Sequence, residues 1–385
     1  MTDNKRHEKY MRLALAEAEK GLGRTSPNPP VGAVIVRNDT VIGCGYHKKA
    51  GTAHAEVNAL ADARKKEQDT RGASMYVTLE PCNHSGRTPP CTEAILAAGI
   101  SEVFIGTRDP NAQVTGGGAE FLAGRGVQVY LDVGRQLCRT LITPFAKHSR
   151  SGQPWVVMKA GMSLDGKITM VSGKGGPITG PETSLYVHRL RNRLDSILVG
   201  VGTAIIDDPS LTTRLADEEA RDPLRIVLDS SLRLPTNCRM LSQQSAGSTW
   251  IFCSPTADAT REARLLQAGA QVIRVAERTA NGMAEAAGGL DLEQVLHYLG
   301  RAGIASVLVE GGAQVHGSFL AAGLVDEVTL VLAPYFIGEA GTPLVHGYSR
   351  HLQAHPPKLC RTHSEQLGAD TLVHGYFTDP DSLFP

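Results

Sequence analysis

Two short stretches carry metal-binding chemistry: His54-Ala55-Glu56, and Pro81-Cys82 followed by Cys91. One imidazole and two thiolates make three ligands of the kind zinc prefers. Three ligands leave a fourth tetrahedral position open, as a catalytic zinc requires. Such a zinc lowers the pKa of its water from about 15.7 to roughly 7, so a hydroxide nucleophile is at hand at neutral pH. Glu56 lies two residues from the His and is not needed as a ligand, so it can move the proton. A closed structural site would recruit His84 or Cys44 as fourth ligand. Such a site has no use for Glu56 or Pro81, and the open site is therefore expected.

The elements around these residues follow from periodicity. Met11, Ala14, Leu15, Ala18 and Leu22 repeat at helical spacing. Pro27-Asn28-Pro29-Pro30 forces a turn and holds the Asn28 amide rigidly. Strands are expected over 31–36 and 41–45, joined through Asn38-Asp39 as a hairpin. A helix over 54–66 places His54 and Glu56 in its first turn, where unpaired backbone amides favour an anionic oxygen. A strand over 74–79 delivers Pro81-Cys82, and Cys91 opens a helix over 92–98. Further strands are expected over 102–106 and 127–131, with helices over 119–123 and 134–146. Strands alternating with helices imply a largely parallel or mixed sheet covered on both faces.

Lys147 to Pro154 is polar and unpatterned, so a boundary is expected there, with domains over 1–148 and 149–385. The second half restarts with a strand over 155–160. It continues with a helix bearing Leu185, Leu190 and Leu194 among Arg189, Arg191 and Arg193. A strand over 196–201, a loop over 207–214 and strands over 224–228, 249–253 and 271–275 follow. A helix over 291–301 leads to a strand over 306–309 and then to Glu310-Gly311-Gly312, entering another helix. Strands over 327–332, 358–366 and 371–378 complete the sheet. Adjacent glycines between strand and helix let a phosphate approach the helix's amides. They do not make the Gly-x-Gly-x-x-Gly fingerprint, and no acidic residue lies suitably about 20 residues on.

Composition narrows the class. At 385 residues, with 42% hydrophobic and 5% aromatic residues, the chain reads as a soluble α/β protein of more than one domain. A formal net charge of zero argues against a nucleic-acid surface but allows a small phosphorylated ligand. Met1 to Lys9 lacks the apolar core of a signal peptide, and no run of about 18 apolar residues suits a membrane span. Seven scattered cysteines look unlike a disulfide framework, so reduced thiols and a cytoplasmic setting are expected. A homo-oligomer is compatible with the sequence, which does not set the oligomeric state.

The order His-x-Glu, Pro-Cys, Cys is the signature of zinc deaminases of nucleobases and nucleotides, here with eight residues between the cysteines instead of two. That loop ends in Gly86-Arg87-Thr88-Pro89-Pro90. Together with Pro27 to Gly32 and Gly45 to Glu56, it resembles the deaminase half of the bifunctional riboflavin-biosynthesis deaminase/reductase family. Leu164 to Lys167, Thr203 to Arg214, Val227 to Ser230 and Val309 to Gly312 resemble the reductase half, in the same order along nearly the whole chain.

The resemblance implies an α/β architecture, with an N-terminal cytidine-deaminase-like three-layer domain and a C-terminal dihydrofolate-reductase-like domain. It implies Zn2+ and NADPH as cofactors and a phosphorylated pyrimidine substrate. By resemblance, His54, Cys82 and Cys91 bind zinc and Glu56 moves the proton. Gly161, Thr203, Asp207 and Ser230 would contact NADPH, with Gly312, Ala313, Gln314, Val315, His316, Gly317 and Ser318. Arg191, Leu211, Arg214 and Glu310 would hold the phosphorylated sugar, and Asn28 would present its amide to substrate in the first domain. His84 and Arg87 are candidates for a phosphate. The chain departs from the family at Asn83-His84-Ser85, often Ser-His-His, and at Gly175-Gly176-Pro177, often Ser-x-Trp, which implies a lost aromatic contact. The alternative is a nucleotide deaminase whose second half binds a nucleotide without catalysis; consumption of NADPH separates the two.

Overall fold

The computed structural model describes residues 3–84, 89–111, 117–216, 219–280, 283–284, 289–348 and 357–384. They divide into two compact units, Met1–Gly152 with Pro380–Pro385, and Gln153–Asp379.

The first unit runs α1 (Asp3–Glu19), β1 (Gly32–Arg37), β2 (Thr40–Tyr46), α2 (Ala55–Lys65), β3 (Ser74–Val77), α3 (Cys91–Ala97), β4 (Glu102–Ile105), α4 (Gly118–Ala123), β5 (Gln128–Tyr130) and α5 (Arg135–Ser151). Its sheet has the order β2-β1-β3-β4-β5. β1 pairs antiparallel with β2 and β3, while β3, β4 and β5 are parallel. Strand alternation sends Ala33 and Ile35 to a core with α2, α3 and α4. Val34 and Val36 go to the opposite core, with α1 and Cys138 of α5. These are the three layers that the resemblance implies.

Small residues let α2 sit close to the sheet. A Cβ at Gly45 would lie 2.3 Å from the Ala59 backbone nitrogen. That close approach fixes where α2 begins, and so where His54 stands.

Two expectations at the boundary give way. Lys147 to Ser151 continue α5 rather than forming a linker, because Thr143 and Ala146 on its buried face keep the helix docked. The C-terminus, assigned from sequence to the second domain, belongs to the first unit. Phe384 packs with Leu79, Ile142 and Ala146, and the Arg150 guanidinium donates to the Leu383 carbonyl at 2.9 Å.

The second unit runs β6 (Trp155–Ser163), α6 (Pro181–Arg193), β7 (Ser196–Gly200), α7 (Val201–Asp207), β8 (Leu224–Leu228), α8 (Arg239–Ser242), β9 (Thr249–Cys253), α9 (Ala259–Gln267), β10 (Gln271–Arg274), β11 (Thr279–Ala280), β12 (Met283–Ala284), α10 (Leu292–Arg301), β13 (Ser306–Gly311), α11 (Ala313–Ala321), β14 (Glu327–Ala333), β15 (Cys360–Leu367) and β16 (Asp370–Tyr376). A nine-stranded sheet has the order β10-β9-β8-β7-β13-β6-β14-β16-β15. It is parallel from β10 to β14, and β16 and β15 close the edge antiparallel. Its core joins β6, β7, β8, β9 and β13 to α10 and α11. Residues 201–207 form α7 where the sequence suggested a strand end and a connection. α9, which the periodicity did not disclose, is capped by the Asp258 carboxylate accepting from the Arg261 amide at 2.8 Å. Among the described residues no helix is long and apolar enough to cross a membrane.

Candidate active sites

The first site lies where two helix starts meet the end of a strand. His54 is the residue before α2, and Cys91 is the first residue of α3. Cys82 follows β3 across a short turn. His54 Nδ1 is 3.2 Å from Cys91 Sγ and 3.4 Å from Cys82 Sγ. The Cys91 amide also donates to Cys82 Sγ at 3.4 Å. All the ligand atoms lie within 4.8 Å of one another, and among the described residues no fourth protein ligand joins them. Cys44 is held instead by the Asp62 carboxylate at 3.5 Å, and His84 is exposed. One nitrogen and two sulfurs with an open position suit a catalytic zinc.

Electrostatics bear on the same reading. A hydrogen bond from Cys91 pulls the Cys82 thiol down; burial opposes this and His54 adds to it. That bond and burial push Cys91 up. The pair keeps a proton that a metal would displace. Glu56 is 3% exposed. In the metal-free protein burial, with the Cys82 thiolate adding, raises its carboxyl to about 7. A buried carboxyl beside the three ligands, and not one of them, is in position to take and return a proton.

Asn28 does not simply face a substrate. Its Nδ2 lies 3.1 Å from His47 Nε2, and His47 Nδ1 lies 3.1 Å from the Ala53 carbonyl. A carbonyl only accepts, so Nδ1 carries the proton and Nε2 accepts from the Asn28 amide. Burial lowers the His47 pKa, which keeps the ring neutral. The His47 ring stands edge-on to His54, with centroids 5.2 Å apart. His47 is a site residue that motif reasoning passed over; its place in Gly45-Tyr46-His47, beside the His54 motif, was the available signal. Asn83, where the family often has Ser, accepts from the Thr92 hydroxyl at 2.8 Å and braces the start of α3. Arg87 lies outside the described residues.

The second site is a cavity of about 790 Å³. It opens at the C-terminal ends of β6, β7, β8 and β13, the usual ligand position in a parallel sheet. Gly161, Thr203, Asp207, Ser230, Gly312, Ala313, Gln314, Val315, His316 and Ser318 all line it. Gly317 does not: a Cβ there would lie 1.9 Å from the His346 carbonyl oxygen, so this glycine serves packing. A Cβ at Gly312 would come within 3.0 Å of the Thr203 hydroxyl. The bare backbone there offers the α11 amides to a pyrophosphate, which is how this cavity fits a dinucleotide. Pro177, the departure from the family, lines the same wall.

The sugar-phosphate residues are arranged differently from expectation. Glu310 lines the cavity, but Arg191, Leu211 and Arg214 do not. The Arg191 fork is bidentate on Glu310, with Nε to Oε1 at 2.9 Å and Nη2 to Oε2 at 2.7 Å. Its Nη1 donates to the Thr212 carbonyl at 3.2 Å. Leu211 is buried, and Arg214 is exposed with Nη1 3.3 Å from the Thr212 hydroxyl. Burial opposes ionisation of Glu310, but Arg191 and then Lys159 outweigh it and hold the carboxyl at about 2. Lys159 lines the cavity, and burial lowers its pKa against the pull of Glu310. A lone Lys in the apolar run of β6 was the signal for it, and the sequence reading missed it.

Comparison with known proteins matches both units. Residues 4–107 match the cytidine and deoxycytidylate deaminase zinc-binding region, and residues 154–373 match the RibD C-terminal domain. The riboflavin biosynthesis protein RibD of Bacillus amyloliquefaciens is 39% identical over 364 residues, covering 94% of each chain. That of Escherichia coli is 36% identical, covering 95% of this chain and 98% of its own. The crystal structure of a diaminohydroxyphosphoribosylaminopyrimidine deaminase/5-amino-6-(5-phosphoribosylamino)uracil reductase from Thermotoga maritima is similar at a TM-score of 0.82. It has 34% identity and covers 97% of this chain and 99% of its own. Matches over nearly the whole length, with a deaminase model on the first unit and a reductase model on the second, show that the chain belongs to the RibD family of bifunctional deaminase/reductases of riboflavin biosynthesis.

Proposed function

We propose that the first unit deaminates 2,5-diamino-6-ribosylamino-4(3H)-pyrimidinone 5′-phosphate. The second then reduces the ribosyl group of the product to ribityl, giving 5-amino-6-(5-phosphoribitylamino)uracil. The observation that carries this is the triad His54, Cys82 and Cys91 closing to within 4.8 Å around an open position, with Glu56 buried beside it.

His54, Cys82 and Cys91 would hold the zinc, which supplies Lewis acidity that makes a water nucleophilic at neutral pH. Glu56 would take one proton from that water and pass it to the ring nitrogen, then carry the second, from the added hydroxyl, to the amine, which leaves as ammonia. His47 packs edge-on against the His54 ring, with its tautomer set by the Ala53 carbonyl and its Nε2 held by the Asn28 amide. In the second unit NADPH supplies the hydride. The Gly312 turn and Thr203 seat its pyrophosphate, and Glu310 accepts from hydroxyls of the sugar chain. Lys159 lines the same cavity and its charge acts on Glu310. Arg191 orients Glu310, and Arg214 offers its guanidinium to the substrate phosphate.

Seven unbridged thiols support a reducing compartment, which we read as the cytoplasm. The substrate is a small phosphorylated pyrimidine, and neither nucleic acid nor membrane is required. A homo-oligomer is compatible with this reading. The test follows ammonia and NADPH absorbance together in zinc-loaded protein supplied with the diaminopyrimidine phosphate. Ammonia followed by NADPH loss is expected. Ammonia without NADPH loss would overturn the second assignment, and no ammonia would overturn the first.

A further inference from the structure

The last residues of the chain occupy a place that neither reaction explains. β16 ends at Tyr376. Two residues on, the Thr378 amide donates to the Asp326 carbonyl at 3.2 Å and its hydroxyl to Asp326 Oδ1 at 3.0 Å. From Pro380 the chain belongs to the first unit, where Pro380–Leu383 form one turn of 3-10 helix. The Phe384 amide closes that turn on the Asp381 carbonyl at 3.2 Å. The Phe384 ring is only 7% exposed.

Two arginines of α5 seat this tail. The Arg139 guanidinium lies over the Phe384 ring at 4.9 Å and 3.9 Å from Asp381 Oδ1. Arg150 holds the Leu383 carbonyl at 2.9 Å. Phe384 then enters a small apolar cluster with Leu79, Ile142 and Ala146. Ile142 and Ala146 belong to α5, but Leu79 lies at the strand end three residues before Cys82.

The cluster therefore underlies the metal turn. Glu80, next to Leu79, is fixed by polar bonds, its carboxylate accepting from the Ala119 amide and its own amide donating to the Thr107 carbonyl, each at 3.0 Å. Leu79 is fixed by burial, at 5% exposure, against α5 and the tail. Val31 packs on the same cluster, and its carbonyl accepts from the His47 amide at 2.9 Å. His47 stands edge-on to His54. One cluster thus supports both approaches to the triad, the turn that delivers Cys82 and the ring beside His54.

We propose that Phe384 is a positioning residue for the zinc triad, and that the tail 380–384 is a strap that must be seated for the triad to hold its metal tightly. The inference rests on the reading that His54, Cys82 and Cys91 bind zinc. It makes the metal centre of the first unit depend on a segment that follows the second unit in the chain. Groups that orient metal ligands from outside the ligand shell change metal affinity by about ten- to a hundredfold, and an apolar support belongs at the lower end. Linkage makes the effect mutual: if seating the tail strengthens zinc binding, zinc strengthens the seating by the same factor.

The test uses the full-length protein and measures zinc affinity by competition with a chelator, at a temperature where each variant is folded by circular dichroism. Loss of stability alone would not move that readout. Phe384→Ala should bind zinc about tenfold more weakly, and Phe384→Leu, which refills most of the space, should stay near wild type. NADPH oxidation with the deaminated intermediate supplied should be unchanged in both. A reciprocal measurement needs no variant: hydrogen exchange at the Phe384 amide of wild-type protein should quicken about tenfold when zinc is removed, while β1 and β3 keep their protection. Folded Phe384→Ala with wild-type zinc affinity overturns the strap, as does exchange at Phe384 that ignores zinc or rises only with the whole unit. If Phe384→Ala does not fold, the exchange measurement decides. Wild-type protein that binds no zinc overturns the metal reading and this inference with it.

Discussion

The two sites of this chain are built on opposite plans. The deaminase site is a point. Its ligand atoms lie within 4.8 Å, and its parts come from the starts of α2 and α3 and the turn after β3. The reductase site is an expanse of about 790 Å³, drawn from four strand ends and the loops beyond them. A metal concentrates charge in one atom, so a few side chains at fixed spacing can specify it. A dinucleotide and a sugar phosphate spread their charge over a long surface. Their site therefore depends on groups that touch each other before they touch a ligand, as Arg191 touches Glu310.

The contrast predicts that damage at the point abolishes one activity outright and spares the other. Glu56→Gln should retain zinc but lower ammonia release by about 10³-fold. NADPH oxidation should continue unchanged when the deaminated intermediate is supplied. Zinc content by elemental analysis and the two rates check this, and undiminished deamination would remove Glu56 from the reaction.

Damage in the expanse should instead register as stability. Arg191 and Glu310 are only 13% and 11% exposed. Arg191→Met leaves a buried carboxylate uncompensated and should cost the second unit about 3 kcal/mol. Pairing it with Glu310→Met should recover much of that loss. Denaturant unfolding followed at Trp155 and Trp250 measures both, and a single variant as stable as wild type would show that the pair is dispensable.

The same pair sets a pH dependence. The Glu310 carboxyl is held at about 2, below its ordinary value of 4.5. A depressed folded-state pKa stabilises above the unfolded value, so this contribution is complete above pH 4.5 and is lost as pH falls from 4.5 towards about 2. Glu310→Gln should flatten the stability of the second unit across that window. An unchanged acid slope would assign the loss to other carboxylates.

The smallest effect should come from the exposed rim. Arg214→Ala should raise the Michaelis constant of the reductase step by about tenfold and leave deamination alone. An unchanged constant would remove Arg214 from the phosphate site and leave that role to a cation within the cavity, with Lys159 the first to test.

Legibility followed the same divide. The zinc triad and Glu56 could be read because their roles depend on residue type and local spacing. The strands of the two main sheets and most helices could be read because apolar periodicity records which face is buried. α9 lay hidden because its amphipathic stripe is narrow, with Leu265 its one fully buried residue. His47 and Lys159 were missed because a lone His or Lys carries no spacing signature.

By itself the sequence determined the chemistry of the metal centre, the family, the alternation of strands with helices and the existence of two units. Only the tertiary structure decided which polar groups face one another. It turned Asn28 onto His47, locked Arg191 onto Glu310 and returned Phe384 to the first unit. The reason is physical: these pairings join residues far apart in the chain, and burial compels each polar group to find a partner among whatever neighbours the packing supplies.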